Sequence, residues 1–98
     1  MPPDTKRERL RGYLRRDETG IRKTVLSLFL KEKKYTTETI YHMLNEKKFD
    51  ITHRGVCAMV GSMNTKLGVL GMDLKNSPNI YYLKENCRDI VKSVMENY

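Results

Sequence analysis

Along residues 36–83 the apolar spacing changes period once, at Leu67, and that change limits the folds open to the chain. Before it, apolar side chains recur twice at helical spacing. Ile40, Met43 and Leu44, with Tyr41, follow Thr36 and Thr37, either of which suits an N-cap; Glu38 stands in the first turn. A helix is expected over residues 37–47. Phe49-Asp50-Ile51 has apolar residues two apart and reads as a short strand. Thr52 then caps a helix over residues 52–67 that carries Val56, Val60, Met63 and Leu67. Beyond Leu67 the pattern alternates. Leu70, Met72 and Leu74 point one way, and Val69, Gly71 and Asp73 the other. Lys75-Asn76-Ser77-Pro78-Asn79 is a turn cluster and Ile80-Tyr81-Tyr82-Leu83 is rich in β-formers, so this stretch reads as a hairpin.

The flanks add helices. Ile21, Val25, Leu28 and Phe29 predict one over residues 21–33, with Lys31, Lys33 and Lys34 suited to its C-terminal end. Pro2 and Pro3 read as a disordered start. Asp4 is placed as the cap of a first helix reaching residue 16, whose thin apolar stripe is Leu10, Tyr13 and Leu14; Gly20 then breaks the chain. Asn86 is placed as the cap of a last helix with Cys87, Ile90, Val91, Val94 and Met95 on its apolar side. The expected core is Val25, Leu28, Phe29, Ile40, Leu44, Ile51, Val56, Val60, Met63, Leu67 and Leu83.

Charge narrows the partner. The net charge is +7, and residues 1–34 hold 11 Lys/Arg against 5 Asp/Glu, whereas the rest hold 8 against 7. A basic balance favours a polyanion, nucleic acid first. The run Val25-Leu26-Ser27-Leu28-Phe29-Leu30 is too short to span a bilayer and is flanked by Lys and Arg on both sides, so no membrane role and a cytoplasmic protein are expected. Cys57 and Cys87 fit reduced thiols. No Gly-rich phosphate loop or acidic pair is legible, and with 98 residues the core uses most of the chain. An enzyme is therefore not expected.

With three helices, a short strand and a hairpin, the chain resembles a winged helix-turn-helix domain. Residues 21–33, 37–47, 52–67 and 67–83 carry the resemblance. The stretch TTETIYHMLNEKKFDITHRGVCAMVGSMNTKLGVL is also similar to a small uncharacterised family of winged-helix proteins from methanogenic archaea. The resemblance implies one mainly α domain with a small β-hairpin, divided as a basic helical extension (1–17), a winged-helix core (18–84) and a C-terminal helix (85–98). It also implies a DNA-binding transcriptional regulator, with helix 52–67 in the major groove and hairpin 68–84 as wing.

The residues give that reading content. The outer face of helix 52–67 is nearly bald, carrying Arg54, Ala58, Gly61, Ser62 and Thr65. Small residues admit a duplex to the backbone. Thr52, Arg54, Ser62, Thr65 and Lys66 are suited to phosphates or base edges, as are Lys75 and Asn76 on the wing and Arg11 on the first helix. Small residues also permit close helix packing, which supports a second reading, a protein-interaction module. A third is RNA binding through the arginine-rich first helix, with Tyr81 and Tyr82 as a stacking surface. A homodimer is expected through Leu10, Tyr13 and Leu14 together with Ile90, Val91, Val94 and Met95. His53 and Cys57, four apart, with His42 nearby, are too few for a metal site; a polar His and a half-buried Cys are expected instead, with no cofactor.

Overall fold

Two threonines organise the centre of the chain, as their neighbours predict. The computed structural model describes residues 3–31, 34–73, 75 and 80–97. In chain order its elements are α1 (Pro3–Arg15), α2 (Ile21–Lys31), β1 (Lys34–Thr36), α3 (Thr37–Glu46), α4 (His53–Thr65), β2 (Leu70–Met72), β3 (Ile80–Leu83), a 3₁₀ turn (Glu85–Cys87) and α5 (Arg88–Met95). Thr36 Oγ1 accepts the Thr39 N–H at 3.0 Å and starts α3; Thr52 Oγ1 accepts the Gly55 N–H at 3.0 Å and starts α4. Each such cap is worth about 1 kcal/mol. Below the caps, Ile40 and Leu44 of α3 and Val56, Val60 and Met63 of α4 are fully buried. Full burial of an aliphatic side chain contributes about 1.5–3 kcal/mol.

The short strand is not at Phe49-Asp50-Ile51. The Lys48 backbone turns left-handed, with φ 72°. Phe49 N–H then reaches Leu44 O at 3.0 Å and Lys48 N–H reaches Asn45 O at 3.0 Å. These two bonds form a Schellman closure of α3, which also brings half-buried Phe49 back onto the core. The strand that joins the hairpin is β1, just before α3. The sheet is antiparallel throughout, in the order β1-β3-β2. Leu70 pairs with Leu83, Gly71 with Tyr82 and Met72 with Tyr81, so the expected hairpin is present. Its alternation is incomplete, because Val69 and Gly71 are buried as well as Leu70. The Tyr82 ring lies across Gly71, and a Cβ there would stand 2.6 Å from it.

The end helices are the larger correction. Leu10, Val91 and Val94 are 0% exposed, and Tyr13 and Leu14 are nearly as buried. α1 packs on α5, and α5 on α2. Arg7 Nη1 donates to Ser93 Oγ at 2.9 Å, and Arg88 Nη1 to Leu30 O at 2.9 Å. Of the seven residues expected at a dimer interface, five thus lie in the core of their own chain, leaving Ile90 and Met95 half-buried. The physical reason is that three short helices and three short strands leave one side of the core open, and the apolar stripes of α1 and α5 close it.

Smaller corrections concern the helix ends. α1 already begins at Pro3, where a missing N–H costs a helix nothing, so Asp4 lies inside the first turn rather than before it. Asn86 does not cap α5 but sits within the 3₁₀ turn. Ile51 is half-buried rather than fully buried. Pro2, Lys33, Leu74 and the turn residues Asn76, Ser77, Pro78 and Asn79 lie outside the described residues. Among those described, no helix is long and apolar enough to cross a membrane.

Candidate nucleic-acid interface

The outer face of α4 is positioned by its buried one. With Val56, Val60 and Met63 turned inward, Arg54, Ala58 and Thr65 are exposed, together with Cys57; Gly61 and Ser62 are half-exposed, and Lys66 follows at the C-cap. Thr52 is exposed at the N-cap. The two glycines differ in kind. A Cβ on Gly55 would stand 3.0 Å from Ile51 Cγ1, so packing within the chain accounts for it. A Cβ on Gly61 would meet nothing within 4 Å. No contact among the described residues requires Gly61 to be small. Thr65 Oγ1 donates to Gly61 O at 2.9 Å, which keeps that side chain folded along the helix.

The basic first helix divides into two parts. Lys6 and Arg7 are internal fastenings: Lys6 Nζ donates to Gly68 O at 3.3 Å and lies 3.3 Å from Cys87 Sγ, and Arg7 holds Ser93. Arg9 and Arg16, seven apart, face a cleft of about 790 Å³ between α1 and the C-terminal end of α4. Arg22 and Lys66 also line it. Arg11, expected to touch phosphate, stands one face over, beside Glu8 and Arg15. Arg22 Nη1 donates to Tyr13 O at 2.8 Å, and its guanidinium lies 4.1 Å from the centre of the Tyr13 ring. Burial pushes the Tyr13 phenol up from its ordinary value, against the opposing field of Arg22. The i, i+7 spacing of Arg9 and Arg16 is visible in the sequence. The approach of Arg22 and Lys66 is not, because it depends on how α1 lies against α4.

On the wing, Lys75 is exposed and its N–H donates to Asp73 Oδ1 at 3.3 Å. Lys34 Nζ pairs with Asp73 Oδ2 at 2.7 Å across the sheet. Tyr81 and Tyr82 are consecutive on β3 and so project to opposite faces; they do not form one stacking surface. His53 Nε2 lies 3.3 Å from Thr37 Oγ1 and 3.9 Å from Cys57 Sγ, with the Tyr41 ring edge-on. Among the described residues no three His, Cys, Asp or Glu side chains come together as a metal site. Cys57 is exposed and Cys87 buried, both as free thiols.

Helix, strand, helix, helix and a two-stranded wing, with a helix added at each end, define a mainly helical protein of winged-helix-like architecture. The chain belongs to the family described as "Protein of unknown function (DUF2551)", which matches residues 10–91. That match runs from Leu10 of α1 to Val91 of α5, so it takes in core residues of both end helices. A relative from the archaeon Archaeoglobus fulgidus, titled "Uncharacterized protein", is 41% identical over 90 residues, 92% of each chain. No solved structure matches the chain.

Proposed function

We propose that the protein binds double-stranded DNA as a transcriptional regulator, with α4 in the major groove and the β2–β3 hairpin as the wing. The observation that carries this reading is Gly61: it gives up roughly 1 kcal/mol of helix stability relative to Ala, with no neighbour among the described residues to account for it. A duplex pressed against α4 accounts for it. Arg54 stands at the N-terminal end of the same face, ready for a guanine edge or a phosphate. Ser62, Thr65 and Lys66 stand at the other end, and Lys75 on the wing. The reading is of a binding protein with no catalytic step, working beside the chromosome in the cytoplasm.

Pairing of two copies belongs to the same proposal. With Leu10, Tyr13, Leu14, Val91 and Val94 occupied in the core, the contact falls to Ile90 and Met95 on α5. Two recognition helices would then meet half-sites about 34–36 Å apart on a roughly palindromic operator. Sedimentation at micromolar concentration tests this part separately: a mass of 11.5 kDa, unchanged by concentration, removes the dimer and leaves the groove reading standing.

Titration against random duplex DNA at two salt concentrations tests the main reading. Binding should weaken steeply with salt. Gly61→Glu and Ala58→Glu should abolish it while the circular dichroism stays that of the parent. Arg54→Ala should cost about 1–3 kcal/mol in a sequence-dependent way. Duplex affinity in Gly61→Glu equal to the parent's removes the recognition-helix role. It would leave the outer face of α4 as a surface for another protein.

A further inference from the structure

Positive charge converges on one concave place that the groove reading leaves largely unused. The cleft between α1 and the end of α4 offers about 790 Å³ and is open to solvent. Small-molecule sites run from about 300 to 1,000 Å³. Arg9 and Arg16 reach the cleft from the first helix, Arg22 from the first turn of α2 and Lys66 from the C-cap of α4. Among the described residues the ion pairs are Lys34–Asp73 and Arg88–Glu85, so none of these four cations is paired. Among the described residues of the lining, Glu8 is the one carboxylate. Like charges gathered in this way repel one another, and an anion among them relieves the repulsion.

The geometry suits a ligand with several phosphate groups. Guanidinium groups bind phosphate oxygens two at a time, and here one of them is held in advance. Arg22 is fixed by Tyr13 O at 2.8 Å and by the Tyr13 ring beneath it. Thr5 and Ser62 bring hydroxyl groups to the walls, and the Arg16 guanidinium lies over Gly12, with Nη1 3.7 Å from where a Cβ would stand. The arginine-rich α1 and the sparsely charged end of α4 build a site between them.

We propose that this cleft binds a small polyphosphate-bearing ligand, with Arg16, Arg22 and Lys66 on its phosphate oxygens. Ser62, Thr65 and Lys66 belong both to the cleft and to the outer face of α4, so an occupied cleft changes the surface offered to DNA. That consequence rests on the duplex reading; the site itself does not.

The test therefore contains no DNA. Tripolyphosphate is titrated into the full chain and followed by calorimetry. The expected result is saturable binding of one molecule per chain, weakened roughly tenfold or more by Arg16→Gln and again by Lys66→Gln, since each removes a charged hydrogen bond. Both side chains are exposed, so the fold is retained, which circular dichroism checks. Lys47→Gln removes the same charge at the end of α3, outside the cleft, and should change the affinity by about twofold or less, because salt screens distant charges. Absence of saturable binding to the parent overturns the proposal. So does an equal loss in Lys47→Gln, which would reduce the binding to attraction by net charge.

Discussion

Lys48 holds a backbone conformation that its side chain disfavours. Its φ of 72° is the left-handed turn that closes α3, a place where glycine is usual. Lys48→Gly should raise stability by about 0.5–1 kcal/mol, read as a higher urea midpoint with an unchanged slope. A lower midpoint would show that the Lys48 side chain contributes more than the strain costs. Tyr13 makes a second point at this scale. Its phenol is buried and its pKa raised, so the folded chain favours the neutral form more than the unfolded chain does. The contribution is complete below the ordinary phenol value and is lost as pH rises through the raised folded value. Unfolding free energy should accordingly fall above about pH 10, and Tyr13→Phe should flatten that fall. Both effects escape sequence reading, since nothing in the letters Lys-Lys-Phe announces a positive φ and nothing around Tyr13 announces Arg22 above its ring.

At the scale of the element, α4 shows both what periodicity can decide and where it stops. Val56, Val60 and Met63 sit at helical spacing and are buried as that spacing requires. Val60→Ala should cost on the order of 2–4 kcal/mol. The opposite change belongs to the other face. Gly61→Ala should stabilise the helix by up to about 1 kcal/mol, because the added methyl meets open space. Chemical denaturation of the two variants checks both signs. A destabilised Gly61→Ala would mean that the face is packed against something, and so would count against the free surface on which the DNA reading stands. The short strand lies beyond what spacing decides. Phe49 and Ile51 are apolar and two apart, but they follow a helix closure, and Lys34-Tyr35-Thr36 takes the place beside β3. Two-residue spacing over three residues carries too little information to tell a strand from the end of a helix.

For the whole molecule the decisive element is α1. Leu10, Tyr13 and Leu14 enter the same core as Phe29 and Val60, and α5 brings Val91 and Val94 from the other terminus. A chain beginning at residue 18 should therefore lose cooperative unfolding rather than merely lose a basic tail. Removing three buried side chains forfeits several kcal/mol from a total that in small domains is about 5–15 kcal/mol. Retention of a sharp thermal transition by residues 18–98 would return α1 to the role of an appendage. The sequence by itself determined the local features: the threonine caps, the inward faces of α2, α3 and α4, and the hairpin from Leu70 to Leu83. Each depends on neighbours within about four residues, or on a turn between adjacent strands, so local spacing suffices. Only the tertiary structure decided what α1 and α5 cover, which strand lies beside β3, and that Arg9, Arg16, Arg22 and Lys66 share one cleft. An apolar stripe fixes which face of a helix is buried but not against what, and charges far apart in the chain become neighbours only when packing brings their helices together.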